Sequence, residues 1–187
     1  MFRTLLPALL ALSMIAPLHA AAASKADKAR AEIRKVSNET LTQLYKVHPE
    51  AKKQVEGAAG YATFSNFGMK IFFVGGGSGK GLVVNNQTRK ETYMRMAEAQ
   101  AGLGVGAKKF RVIFVFQAPE AMNAFTEQGW EFGGQATAAA KAGDEGDSIQ
   151  GAAAVSPGVW MYQLTDKGLA AEITAKGTKY WKDGDLN

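Results

Sequence analysis

Gly75-Gly-Gly-Ser-Gly-Lys-Gly81 has the composition of a phosphate cradle, in which glycine amides point at an oxyanion and a lysine neutralises it. The nucleotide pattern needs a glycine five places before the Gly-Lys pair and Ser or Thr after it, and Val74 and Gly81 stand there instead. The chain then continues through Leu82-Val-Val84, which reads as strand and not as the helix a phosphate loop requires. A glycine hairpin where chains pack closely fits better. Gly102-Leu-Gly104-Val-Gly-Ala107 meets the dinucleotide pattern G-x-G-x-x-A, but Phe110–Phe116 after it reads as strand, so no helix N-terminus would face a pyrophosphate. Apart from His19, near the start, the one histidine is His48, beside Pro49. It fits a helix-end or surface role and is too few for a multi-histidine metal site. Asp144, Glu145 and Asp147 lack the glycine and downstream glutamate of a calcium loop. No cysteine is present, which excludes thiolate catalysis, cysteine-held zinc, iron–sulfur clusters and lipid attachment through sulfur. The expectation is no catalytic residue, no metal and no cofactor, hence a non-enzymatic protein.

The remaining chemistry is cationic. Lys80, Arg89, Lys90, Arg95, Lys108, Lys109 and Arg111 punctuate a strand-rich region beside Tyr93, Met94 and Phe110, a mixture suited to a lipid headgroup–acyl boundary. Upstream, Ala26, Ala29, Ile33, Val36, Thr40, Leu44 and Val47 fall on one stripe about 80° wide at helical spacing. Lys28, Lys35 and Lys46 flank it on one side, Arg30 and Arg34 on the other. Such cations can reach lipid phosphates while Ile33 and Val36 face the acyl boundary. Two alanines and a threonine make the stripe weakly apolar, which favours docking on the protein's own domain.

These residues need elements to position them. Pro49 ends the amphipathic helix or opens a short second one through Val55, and Gly57 and Gly60 break the pattern. Strands are expected at Tyr61–Phe64, Ile71–Val74, Gly81–Asn85, Thr92–Met96, Ala101–Val105, Val112–Phe116, Trp130–Ala140 and Val159–Leu164. Val112–Phe116 is apolar throughout, as in a central strand covered on both faces. Pro119 opens a short helix with Ala121, Met122 and Phe125 that ends near Gly129. Thr165-Asp-Lys-Gly168 has the composition of a hairpin turn, and Gly143–Ser148 of a polar loop. The fold class is α+β: antiparallel, glycine-rich β-sheets with an N-terminal amphipathic helix and one or two short helices.

Arg3, the apolar stretch Leu5–Leu18 and the small residues of HAAAAS read as a secretory signal peptide over residues 1–23, with cleavage after Ala20 or Ala23. Residues 24–187 then form one domain in a periplasmic or secreted setting. The 187 residues carry a net charge of +5, unevenly divided. Ser24–Arg111 holds 16 basic and 7 acidic residues, and Val112–Asn187 holds 5 and 10. That asymmetry suggests a positive face for an anionic partner. Export disfavours nucleic acid, leaving a membrane surface as the first partner and a protein as the second.

The run Gly60-Tyr-Ala-Thr-Phe64, the glycine-rich segment Gly75–Val84, AGLGVGAKKFRVIFVF from Ala101 to Phe116, the helix with Ala121 and Phe125, and MYQLTDKGLAAEI from Met161 to Ile173 together resemble the SYLF-domain family. The likeness runs from about Val47 to Asp183. It departs at Gln163–Lys167, where the family commonly has a Ser-Arg-Ser-rich strand. The resemblance implies a lipid-binding module, with phosphoinositide affinity in some relatives and actin association in eukaryotic ones. For an exported member it implies binding to anionic phospholipid. The alternative is a periplasmic structural or protein-interaction module. The lipid-contacting set expected from charge and pattern is Lys28, Arg30, Ile33, Arg34, Lys35, Val36, Lys80, Lys108, Lys109 and Arg111.

Overall fold

The computed structural model describes residues 17–65, 76–99, 111–132, 151–165, 168–169 and 178–187. A long helix α1 (Pro17–Val47) is followed by α2 (Glu50–Gly57), with His48 and Pro49 between them. Pro49 disfavours helical geometry at His48, and its ring cannot continue the hydrogen-bond ladder, so α1 stops and α2 starts afresh. Strands β1 (Gly60–Ser65), β2 (Gly76–Asn85), β3 (Glu91–Ala99) and β4 (Arg111–Phe116) come next. Then follow α3 (Pro119–Gln128), β5 (Trp130–Phe132), β6 (Ala153–Ser156), β7 (Val159–Thr165), β8 (Gly168–Leu169) and β9 (Thr178–Lys182). All the pairings are antiparallel, in the order β5-β9-β3-β2-β1-β4-β7-β6, with β8 against β7. The protein is therefore α+β.

The sheet is rolled. Four strand spacings separate β9 from β4, about 19 Å if the sheet were flat, yet the rings of Tyr180 on β9 and Phe114 on β4 lie 5.3 Å apart, edge to face. Phe64, Met94, Met96, Phe114, Phe116 and Tyr180 converge inside the curl, with Met122 and Phe125 of α3 among them. Aromatic rings packed edge to face contribute beyond their buried area, and Phe64, Phe125 and Tyr180 make three such or tilted contacts with one another. On the other face, Leu41 and Leu44 of α1 and Ala51 and Val55 of α2 cover Ile113, Val115, Tyr162 and Leu164. Strand β4 is thus buried on both sides, as its unbroken apolar run requires.

The glycine run is a correction to the hairpin expected over Gly75–Gly81: from Gly76 onward it is the body of β2, paired with β3 and, from Lys80, with β1. Close packing is the reason for its composition. A Cβ on Gly81 would overlap the Phe64 ring, and one on Gly79 would come 2.6 Å from the Ser65 carbonyl and 2.8 Å from Met96. Strands β6 and β9 were not expected. Those proposed at Ile71–Val74 and Ala101–Val105, the polar loop at Gly143–Ser148, and the rest of Trp130–Ala140 beyond Phe132 lie outside the described residues.

Candidate anion-binding face

The register of five strand pairs builds one lateral row on the α1 side of the sheet. Trp181 stands opposite Arg95, Arg95 opposite Lys80, Lys80 opposite Ser65, Ser65 opposite Arg111, and Arg111 opposite Leu164. Because side chains alternate across a strand, residues opposite one another share a face. Three cations thus lie within about 15 Å of sheet, with a partly exposed tryptophan at the end of the row. Like charges opposite each other cost stability, and the Arg95–Lys80 juxtaposition is relieved at Arg95. Its guanidinium lies 2.8 Å from Asp183, which is wholly buried, and also contacts Asp185. The hydrogen bond runs from Arg95 Nη2 to Asp183 Oδ1 at 3.0 Å. The Nε–Oδ2 approach is ionic and lacks hydrogen-bond alignment. Burial pushes the Asp183 carboxyl up, but the hydrogen bonds from Arg95 and the Asp185 backbone, with the charge of Arg95, hold it below its ordinary value.

Lys80 is exposed and in no ion pair among the described residues, and Arg111 donates to Gln43 Oε1 at 2.7 Å. Between Lys80 and α1 lies a cavity of about 10 Å³, lined by Ile33, Val36, Ser37, Thr40, Thr63 and Phe64 among others. Thr63 donates to Ser37 at 2.8 Å and Thr40 to the Val36 carbonyl at 2.7 Å, so the middle of the α1–sheet interface is polar.

The α1 residues of the expected lipid set separate into two groups. Lys28 and Lys35 are exposed and make no ion pair among the described residues. Arg30 and Arg34 are each partly engaged within the protein: Arg30 donates through Nε to the Leu186 carbonyl and through Nη1 to Asp27, both at 2.9 Å, and the half-exposed Arg34 donates through Nε to Glu91 at 2.7 Å and lies over the Tyr93 ring. The hydrogen bond to Glu91 holds the Arg34 pKa above its ordinary value. Ile33 does not face outward. It is buried with Leu82, Val84, Tyr93 and Leu186, because the stripe docks on the sheet, and Val36 faces the cavity. Lys108 and Lys109 lie outside the described residues.

Sequence reading missed Trp181 and the acidic tail. Both sit in Thr178–Asn187, where alternation of Thr178 and Tyr180 with Lys179 and Trp181 was the available signal of a strand. Among the described residues no group of three His, Cys, Asp or Glu could hold a metal, and no helix is long and apolar enough to cross a membrane.

Residues 97–187 match the family described as "Ysc84: Las17-binding protein actin regulator". A curated relative, "Beta cell expansion factor A" of Aeromonas veronii, is 33% identical over 161 residues, which cover 86% of this chain and 60% of that protein. Residues 97–187 thus belong to the SYLF-domain family.

Proposed function

We propose that this is an exported, non-enzymatic protein that binds anionic phospholipid surfaces peripherally. One observation carries the reading: exposed Lys80 and, two strands away, Arg111 share a row that ends at a partly exposed Trp181, while Arg95 between Lys80 and Trp181 is neutralised by Asp183 and Asp185. Cations of this kind contribute about 1 kcal/mol each near an anionic membrane. Tryptophan seats its ring at the headgroup level, half in and half out of water. Lys28 and Lys35 on α1 add charge. The family description names protein binding, so a protein partner is the competing reading. Binding to phosphoinositide-like headgroups in relatives fits the same cationic row.

Co-sedimentation with phosphatidylcholine vesicles, with and without phosphatidylglycerol, at low and high salt tests this. Binding is expected only to the anionic vesicles, and Lys80→Glu with Arg111→Glu should weaken it by about tenfold or more. No binding at low salt overturns the membrane reading in favour of a protein partner.

A further inference from the structure

We propose that the tip of the β2–β3 hairpin, where Arg89 and Lys90 stand beside Tyr61 and Tyr45, is a docking surface for an acidic segment of a protein partner. The inference is independent of the membrane reading. It begins at the backbone: Arg89 has φ of 59°, the one positive value outside glycine among the described residues. A side chain makes that conformation costly, and glycine is the ordinary occupant. The turn imposes it all the same. Asn85 Oδ1 accepts from the Gln87 and Thr88 amides, the Asn85 carbonyl accepts from Arg89 N at 2.9 Å, and Asn85 N donates to the Lys90 carbonyl at 3.0 Å. Asn86 Nδ2 ties the same tip to α2 through the Val55 and Ala58 carbonyls. The hairpin is thus held from both sides, and it presents a guanidinium that the fold does not use. Arg89 is exposed and makes no ion pair or side-chain hydrogen bond among the described residues. A strained arginine with no internal partner points to a ligand outside the chain.

The surroundings indicate which ligand. Tyr61 stands opposite Val84, and Val84 opposite Glu91, which sets Tyr61 on the α1 side of the sheet at the hairpin end. The charge of Arg89 pulls the Tyr61 pKa down there, against the larger upward push of burial. Tyr45 of α1 is its neighbour, and burial pushes that phenol up to about 12. Both rings are half-buried against the apolar cluster of Leu41, Leu44 and Val115, and neither phenol oxygen has a hydrogen-bond partner among the described residues. Rigid tyrosines beside an arginine are the residue types that dominate protein interfaces. The acids nearby do not oppose an anionic partner. Glu91 accepts from Arg34 and from the Tyr93 hydroxyl, both at 2.7 Å, and Glu56 lies 3.9 Å from Lys52. Arg89 and Lys90 remain in excess, so the complementary segment carries carboxylates, to which guanidinium and phenol both donate. Lys80 of the cationic row lies four residues from Val84 along β2, about 13 Å away. That exceeds the screening length at physiological salt, so the two surfaces act separately.

Arg89→Gly separates the surface from the fold, because glycine takes this backbone without strain. Fluorescence anisotropy of a labelled deca-glutamate peptide, titrated with the full chain at physiological salt, should show saturable binding. Arg89→Gly should weaken it about tenfold while leaving the thermal midpoint at or above that of the parent, and Arg89→Asn, which also tolerates left-handed backbone, should do the same. Tyr61→Phe keeps the ring, removes the donor and should weaken binding a few-fold. Lys182→Gln removes one positive charge on β9 and should leave binding unchanged. Absence of saturable peptide binding to the parent, or equal losses in Arg89→Gly and Lys182→Gln, overturns the proposal. So does an Arg89→Gly variant that loses phosphatidylglycerol vesicles and keeps the peptide, which would assign the tip to the membrane.

Discussion

Asp183 illustrates how one side chain secures the cationic row. It is fully buried, yet it faces a guanidinium whose other side is in water. Removing it would leave Arg95 opposite Lys80 with only Asp185 in support. Asp183→Ala should therefore cost about 2–3 kcal/mol, below the range for a fully enclosed pair because Arg95 is half-exposed. Denaturant unfolding at neutral pH measures this. The pH dependence follows from its lowered pKa. The folded protein binds that proton less readily than the unfolded chain, so the stabilisation is present above the unfolded carboxylate pKa of about 4 and is lost as pH falls through the folded value. The difference in unfolding midpoint between parent and Asp183→Ala should narrow as pH falls below the unfolded carboxylate value; a difference that stays constant with pH would show that the ionised pair contributes nothing.

At the scale of elements, the sequence disclosed most where pattern and packing agree. Val112–Phe116 was legible as a doubly covered strand because every residue is apolar, and α3 because Pro119 opens it and Gly129, with φ of 72°, closes it. The glycine run was illegible as strand because its reason lies across the sheet, in the Phe64 ring that occupies the space over Gly81. Gly81→Ala should consequently destabilise by about 2–3 kcal/mol, through overlap with that ring and the Thr63 carbonyl. A control at Gly57, where a Cβ meets nothing within 4 Å, should lie within about 0.5 kcal/mol of neutral or be mildly stabilising in its helix. Thermal unfolding of the two variants compares them directly, and equal midpoints would refute the packing account. Strand β9 escaped notice for a related reason. Its lysines and short length obscure an alternation whose inward residue, Tyr180, acquires meaning only when the sheet curls it onto Phe64 and Phe114.

At the scale of the molecule, the charge asymmetry of the sequence is partly cancelled among the described residues. The acidic tail folds back onto the basic half, where Asp183 and Asp185 meet Arg95, and Glu131 stands opposite Lys179. Among the described residues, those on the α1 side of the sheet include Lys80 and Arg111 beside α1, Lys28 and Lys35 on its exposed face, and Trp181 at the end of the row. Glu120 and Glu127 lie on α3, across the sheet from this row. This arrangement fixes how the protein should meet a membrane, with the α1 flank toward the lipid and α3 away from it. The three tryptophans report that orientation. Trp160 is buried and Trp130 packs against the aromatic core, so their emission is set by the protein interior, whereas Trp181 is open to water. Anionic vesicles should shift the emission to the blue through Trp181 alone, since an indole at the headgroup boundary leaves water. Trp181→Phe should abolish the shift and weaken binding by a few-fold, while Lys182→Glu, which alters the contact with Glu127 on α3, should leave both unchanged. A full blue shift in Trp181→Phe would mean that another face meets the membrane, and the row would then have to be assigned to a different anionic partner.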